Sequence, residues 1–181
     1  VKEKEEKSIS DLISGRKPFG LATNFKGNSV PYKSSAHNIK LYQNKGIGYV
    51  KQEDIPVNKQ WIHDHKVIAP YAVGSGDSKT DWVKPIYAEP NTACTETYLV
   101  MGPFEDKQTC ENVMSYINTR FFHFMLTLKK NTQHTTKKVY ELVPMQDFSK
   151  PWTDKELYEK YQLTQAEIEY IESMVRPMTN E

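Results

Sequence analysis

Apolar residues recur three or four positions apart through the middle of the chain. Cys110, Val113, Met114, Ile117, Phe121, Phe124, Met125 and Leu128 all fall on one helical face. With Pro103 and Asp106 closing the strand before it, this period predicts a long central helix over 106–130. Phe121, Phe124 and Met125 would each contribute roughly 1.5 to 3 kcal/mol on leaving water, so the helix is expected to wall the core. Upstream, Ile9, Leu12 and Ile13 line one side of a short helix over 8–14 that ends at Gly15. Strands are expected near 19–24 and 38–42, and Gly46 and Gly48 bracket a turn before Tyr49. The segment 55–65 reads as a helix turning Trp61 and Ile62 inward. Buried strands are expected over 66–72 and 94–102, and a short one over 139–143 before Pro144.

At the end of the chain, Thr153 with Glu156 and Thr164 with Glu167 have the spacing of two capping boxes. They predict a helical hairpin in which Leu157, Tyr158, Tyr161 and Leu163 meet Ile168, Ile171 and Val175. The expected fold is α+β: a mixed or mostly antiparallel sheet packed on the long central helix, with the hairpin folded against it.

At 181 residues and 38% hydrophobic content the chain can build one compact core. No run approaches 18 apolar residues and no signal sequence opens the chain, so no membrane partner is expected and the cytoplasm is the expected compartment. Cys94 and Cys110 are too few for a disulfide framework and are expected reduced. The net charge of +1 hides an uneven distribution. Arg16, Lys17, Lys26, Lys33, Lys40, Lys45 and Lys51 lie in 12–52 without an acidic residue, as do Arg120, Lys129, Lys130, Lys137 and Lys138 in 112–140. From Trp152 onward seven acidic residues stand against three basic ones. This separation suits a positive face for nucleic acid and an acidic end turned elsewhere.

Asn131, Thr132, Gln133, His134, Thr135, Thr136, Lys137 and Lys138 form a run of donors with no carboxylate. Amide side chains pair bidentately with adenine edges, while Lys, Arg and Thr hold phosphates, so the run fits duplex DNA better than a small metabolite. Asn131, Gln133 and His134 are the candidates for base edges. Arg120, Lys129, Lys130, Lys137 and Lys138 are the candidates for phosphates, with Thr132, Thr135 and Lys26 beside them. Lys129 and Lys130 also have a purely structural explanation, since a cationic last turn suits the helix dipole. The whole run could equally be a solvated loop.

Catalytic and metal motifs are absent. There is no Gly-x-Ser-x-Gly, His-Glu-x-x-His or Gly-rich dinucleotide sequence, and the loop Gly74, Ser75, Gly76 lacks the Gly-Lys-Ser/Thr ending of a phosphate loop. His63 and His65 have no further ligands nearby to complete a zinc site, and His123 falls where a packed histidine is expected. Phe25, Lys26 and Gly27 match the core of an F-x-G cofactor element, but Ser29 stands where its second glycine belongs. No two prolines are adjacent, so the Pro-Pro-aromatic signature of amino-methyltransferases is missing.

The segments Cys94-Thr-Glu-Thr-Tyr98, Thr119-Arg-Phe-Phe-His-Phe124, Lys130-Asn-Thr-Gln-His134 and Val143-Pro-Met-Gln-Asp-Phe148 occur in that order. Trp152-Thr-Asp154, Leu157-Tyr-Glu-Lys-Tyr161 and Ile171-Glu172 follow them. Together they resemble the C-terminal region of Eco57I-like restriction-modification methylases, bacterial adenine-N6 methyltransferases that use S-adenosylmethionine. The likeness runs from about Phe19 to Met178 and is thinner before Trp61. It implies a target recognition domain over 16–150 that selects double-stranded DNA, a preceding linker over 1–15, and a hairpin over 151–181 packed on it. The S-adenosylmethionine and the catalytic domain would then belong to an upstream part of a longer protein, in keeping with the charged opening that starts at Val1. A docking module joining the methylase to a restriction nuclease or translocase subunit is the alternative expectation. A nuclease carried by this segment itself is disfavoured, because acid-Lys pairs such as Glu159 and Lys160 lie on a helical surface.

Overall fold

The computed structural model describes residues 7–73, 82–130 and 134–176, with 26–28 described in backbone alone. The chain is α+β, with two small sheets that are mostly antiparallel. In the first, β1 (Ile39–Gln43) pairs antiparallel with β2 (Gly46–Val50), and β5 (Thr92–Cys94) joins β1 in parallel. In the second, β3 (His65–Pro70) is flanked antiparallel by β4 (Ile86–Ala88) and β6 (Tyr98–Phe104). Two apolar clusters show how the layers stack. Val67, Ala69, Leu99 and Met101 pack with the helices, whereas the alternate residues Ile68 and Val100 pack with Ile39, Leu41 and Val50 of the first sheet. The second sheet is thus covered on both faces, which is why 66–69 are all enclosed. Lys66 is enclosed with them. Its amine donates to the Asp64 carbonyl at 3.1 Å, and burial pulls its pKa down to about 8.

The expected long helix over 106–130 is two helices, α1 (Lys107–Ile117) and α2 (Arg120–Thr127). The apolar period runs through the break because Ile117 and Phe121 both remain buried. The backbone stops at Asn118, and Thr119 starts afresh as an N-cap whose hydroxyl accepts from the Phe122 N–H at 3.1 Å. Both Asp154 oxygens complete the new terminus, accepting from the Arg120 and Phe121 N–H groups at 3.1 and 2.9 Å. A carboxylate from a distant segment therefore caps α2.

Other boundaries differ for local reasons. The expected strand over 19–24 is a turn leading into a 3-10 helix over Thr23–Asn28, because Lys17 and Gly20 take positive φ angles of 57° and 77°. The turn assigned to Gly46 and Gly48 lies one step earlier, with Lys45 left-handed at φ 57° and both glycines inside β2. The expected helix over 55–65 is interrupted by left-handed Asn58 and reduces to a 3-10 turn over Lys59–His63, although Ile62 does point inward. The strand expected over 94–102 divides at Thr95–Thr97, sending Cys94 to one sheet and Tyr98 to the other. Residues 139–143 form a 3-10 helix over Lys137–Leu142 instead of a strand, with consecutive Val139 and Tyr140 both buried.

Residues 8–14, expected within a linker, are built into the core. Ile9 and Ile13 are enclosed, Ile13 bridges Met101, and the Ser14 N–H donates to the Val100 carbonyl at 2.8 Å. Both expected helices form at the end of the chain: α3 (Asp154–Lys160) and α4 (Gln165–Met174) each begin on a complete capping box, and each lies against α2. Among the described residues, no helix is long and apolar enough to cross a membrane.

Candidate nucleic-acid interface

The cationic segment after α2 hangs from the end of β3. The Lys130 amine donates to the Val73 carbonyl at 3.3 Å, and His134 forms a β-bridge with Ala72. The Thr135 N–H then donates to the Tyr71 carbonyl at 2.7 Å, and its hydroxyl reaches the Pro70 and Tyr71 carbonyls at 2.8 and 3.0 Å. Thr135, expected at the DNA, is therefore fully enclosed, and its side chain serves to dock the loop. Asn131, Thr132 and Gln133 lie outside the described residues, as does the side chain of Lys26.

The loop is positioned against residues that sequence reasoning did not place in the site. The His134 ring stacks on Tyr71 at 4.9 Å and 25°, and the Arg16 guanidinium lies 5.0 Å from the centroid of that same Tyr71 ring. Tyr71 thus joins the first basic run to the second. Arg16 itself is shared with Glu96 at 3.1 Å, and its side chain remains 59% exposed. The Thr23 backbone N–H bond, with Arg16 and Lys17 nearby, holds the Glu96 carboxyl below the usual range. Close in the chain to Arg16 and His134, Lys17, Lys137 and Lys138 are exposed. No salt bridge among the described residues neutralises these three lysines.

Three other cations of the two runs, Lys40, Arg120 and Lys129, are already occupied. Arg120 pairs with Glu172 of α4 at 3.5 Å, and Lys129 pairs with Glu141, whose carboxyl it holds below the usual range with help from Lys138. Lys40 pairs with Glu89 at 2.8 Å. Glu89, Glu96, Glu141 and Glu172 all lie outside the carboxylate-free runs, so counting charge along the chain overstates the free cations.

The remaining titratable candidates are structural. His123 is enclosed beneath Trp82, ring centroids 3.9 Å apart, and burial, reinforced by Lys130, pulls its pKa down to about 3. Such a neutral, covered imidazole is a packed side chain. His63 meets the Asn91 side chain at 3.1 Å and His65 the Tyr87 hydroxyl at 2.6 Å, and the described residues hold no group of three metal-ligating side chains. Both thiols are free and buried, pushed up to about 12 by burial. What the surface around Tyr71 offers is two stacked rings and the Arg16 guanidinium, with the exposed Lys17, Lys137 and Lys138 on the adjoining chain. No protein-family model and no curated protein matches the chain.

Proposed function

We propose that this chain is the target recognition region of a restriction-modification adenine-N6 DNA methyltransferase. It binds double-stranded DNA and selects the site, while a catalytic domain elsewhere in the protein uses S-adenosylmethionine to methylate the adenine. The observation that carries this reading is the Arg16, Tyr71 and His134 stack, in which one residue from each carboxylate-poor segment meets the same ring. Lys17, Lys130, Lys137 and Lys138 supply phosphate contacts around it. Asn131, Gln133 and His134 are assigned to base edges, because amide and imidazole groups can both donate and accept there. Arg120 and Lys129 act one step removed, fixing the helix from which the loop departs. The missing Pro-Pro-aromatic signature agrees with a division in which the chemistry belongs to another domain.

Selection of duplexes from a random pool by the full chain identifies the preferred site. Lys137→Ala then weakens binding to selected and random duplexes alike and lowers the salt slope by about one unit. Gln133→Ala loses roughly 1 to 3 kcal/mol on the selected duplex alone. Salt-independent binding, or equal losses on both duplexes for both variants, overturns the reading.

A further inference from the structure

The hairpin leaves two recesses beside α4, and neither belongs to the surface around Tyr71. Between α2 and α4, Phe121, Phe124, Met125, Ala166 and Tyr170 wall an apolar recess of about 410 Å³. Its rim keeps aromatic surface in water: Tyr170 is 57% exposed and stands edge-on to Phe124 at 5.9 Å. Between α3 and α4 lies a second recess of about 410 Å³, whose charged lining is Asp154, Glu159 and Glu172 against one cation, Lys155, with Tyr158 beside them. Leu163, at the turn of the hairpin, lines both. Tyr158 is 7% exposed, and its hydroxyl is enclosed without a hydrogen-bond partner among the described residues. A native fold rarely leaves such a group unmatched.

We propose that these two recesses together form a docking site for a segment of a partner protein that carries a large apolar side chain flanked by lysine or arginine. The apolar side chain enters the α2–α4 recess, and the cation enters the α3–α4 recess, where carboxylates and the Tyr158 hydroxyl offer acceptors. Charge complementarity selects this occupant. From Gln165 to Met174, α4 carries Glu167, Glu169 and Glu172 and no cation, so nucleic acid is repelled from it. A second copy using the same face would bring like charges together. All three carboxylates of the second recess already have partners: Asp154 caps α2, while Glu172 pairs with Arg120 at 3.5 Å and Glu159 with Lys155 at 4.0 Å through side chains alone. Such surface pairs are weak enough to be shared with an incoming cation. This inference is independent of the DNA reading.

The test uses two helical peptides of about 14 residues with the same leucine pattern, the other positions being all lysine in one and all glutamate in the other. Each is titrated into the full chain while the methyl resonances of Met125, Leu163, Ala166 and Ile171 are followed. The leucine-lysine peptide is expected to shift these methyls, and Ala166→Lys, which fills and charges the recess at an exposed helical position, to weaken it at least about tenfold with unchanged thermal unfolding. The leucine-glutamate peptide is expected to bind at least about tenfold more weakly than the lysine one. Equal binding of the two peptides, no binding of either, or no effect of Ala166→Lys overturns the proposal. So does a shift of the same methyls caused by duplex DNA alone, or by raising the protein concentration alone, which would assign the face to nucleic acid or to a second copy.

Discussion

In the helical hairpin, Thr153 and Glu156 exchange hydrogen bonds across a single turn, and Thr164 and Glu167 do the same. In the cationic segment before it, the partners come from afar: Glu172 for Arg120, Glu141 for Lys129, and Pro70 and Tyr71 for Thr135. Both regions use ordinary hydrogen bonds and ion pairs, but they differ in the chain distance over which the partners must be brought together. The hairpin ends are therefore specified locally. Lys130, His134 and Thr135 keep their places while β3 and its extension to Val73 hold theirs.

The largest effect that would sharpen this comparison comes from α2, on which both regions are mounted. The unfolded His123 titrates near 6.5 and the folded one near 3, so its contribution is complete above pH 6.5 and is lost as pH falls toward 3. On the order of 5 kcal/mol is involved. Denaturant unfolding across that range is expected to show the loss in the parent chain and a flatter profile in His123→Leu. An identical pH profile would mean that the ring is not shielded in the fold.

Next in size, Asp154→Ala removes both acceptors at the start of α2 and is expected to cost about 2 to 3 kcal/mol, with Asp154→Asn costing less. A loss no larger than that of an exposed substitution would return α2 to a helix that needs no distant cap. Smaller still, Thr135→Val leaves the Pro70 and Tyr71 carbonyls without their hydroxyl donor, for about 1 to 2 kcal/mol. Thr153→Ala costs about 1 kcal/mol through the lost cap. The two variants separate in DNA titration: the first weakens duplex binding by loosening the loop, and the second leaves it unchanged. Equal binding by both would detach the docking of Thr135 from the surface it supports. Smallest of all, a double-mutant cycle over Arg120 and Glu172 is expected to give about 0.2 to 1 kcal/mol, fading as salt is raised.

Much of the architecture was legible because its determinants are local. The capping boxes predict the starts of α3 and α4, the strand expected near 38–42 is β1, and the buried run from Lys66 is β3. The single helix expected over 106–130 was misread because apolar period and backbone continuity are separate properties. Ile117 and Phe121 keep their spacing across a break that Thr119 and Asp154 cap. Residues 139–143 differ because the 3-10 helix over Lys137–Leu142 is seated on Ile9–Leu12 and α2, a tertiary placement that a β-rich composition does not encode. At the candidate interface the polar run and the basic run holding Arg16 were visible, yet nothing local marked Tyr71 as the ring on which they meet. Thr135 was indistinguishable in sequence from its exposed neighbours.

By itself, the order of residues determined which segments bury an apolar face, where the hairpin helices begin, and that cations and carboxylates are concentrated in different stretches. Periodicity and capping act within about four residues, so they can be read along a line. Only the tertiary structure decided which cations remain open, since Coulomb attraction and ring stacking depend on distance through space. The fold brings Glu172 to Arg120, Glu141 to Lys129, and Arg16 and His134 to one tyrosine ring.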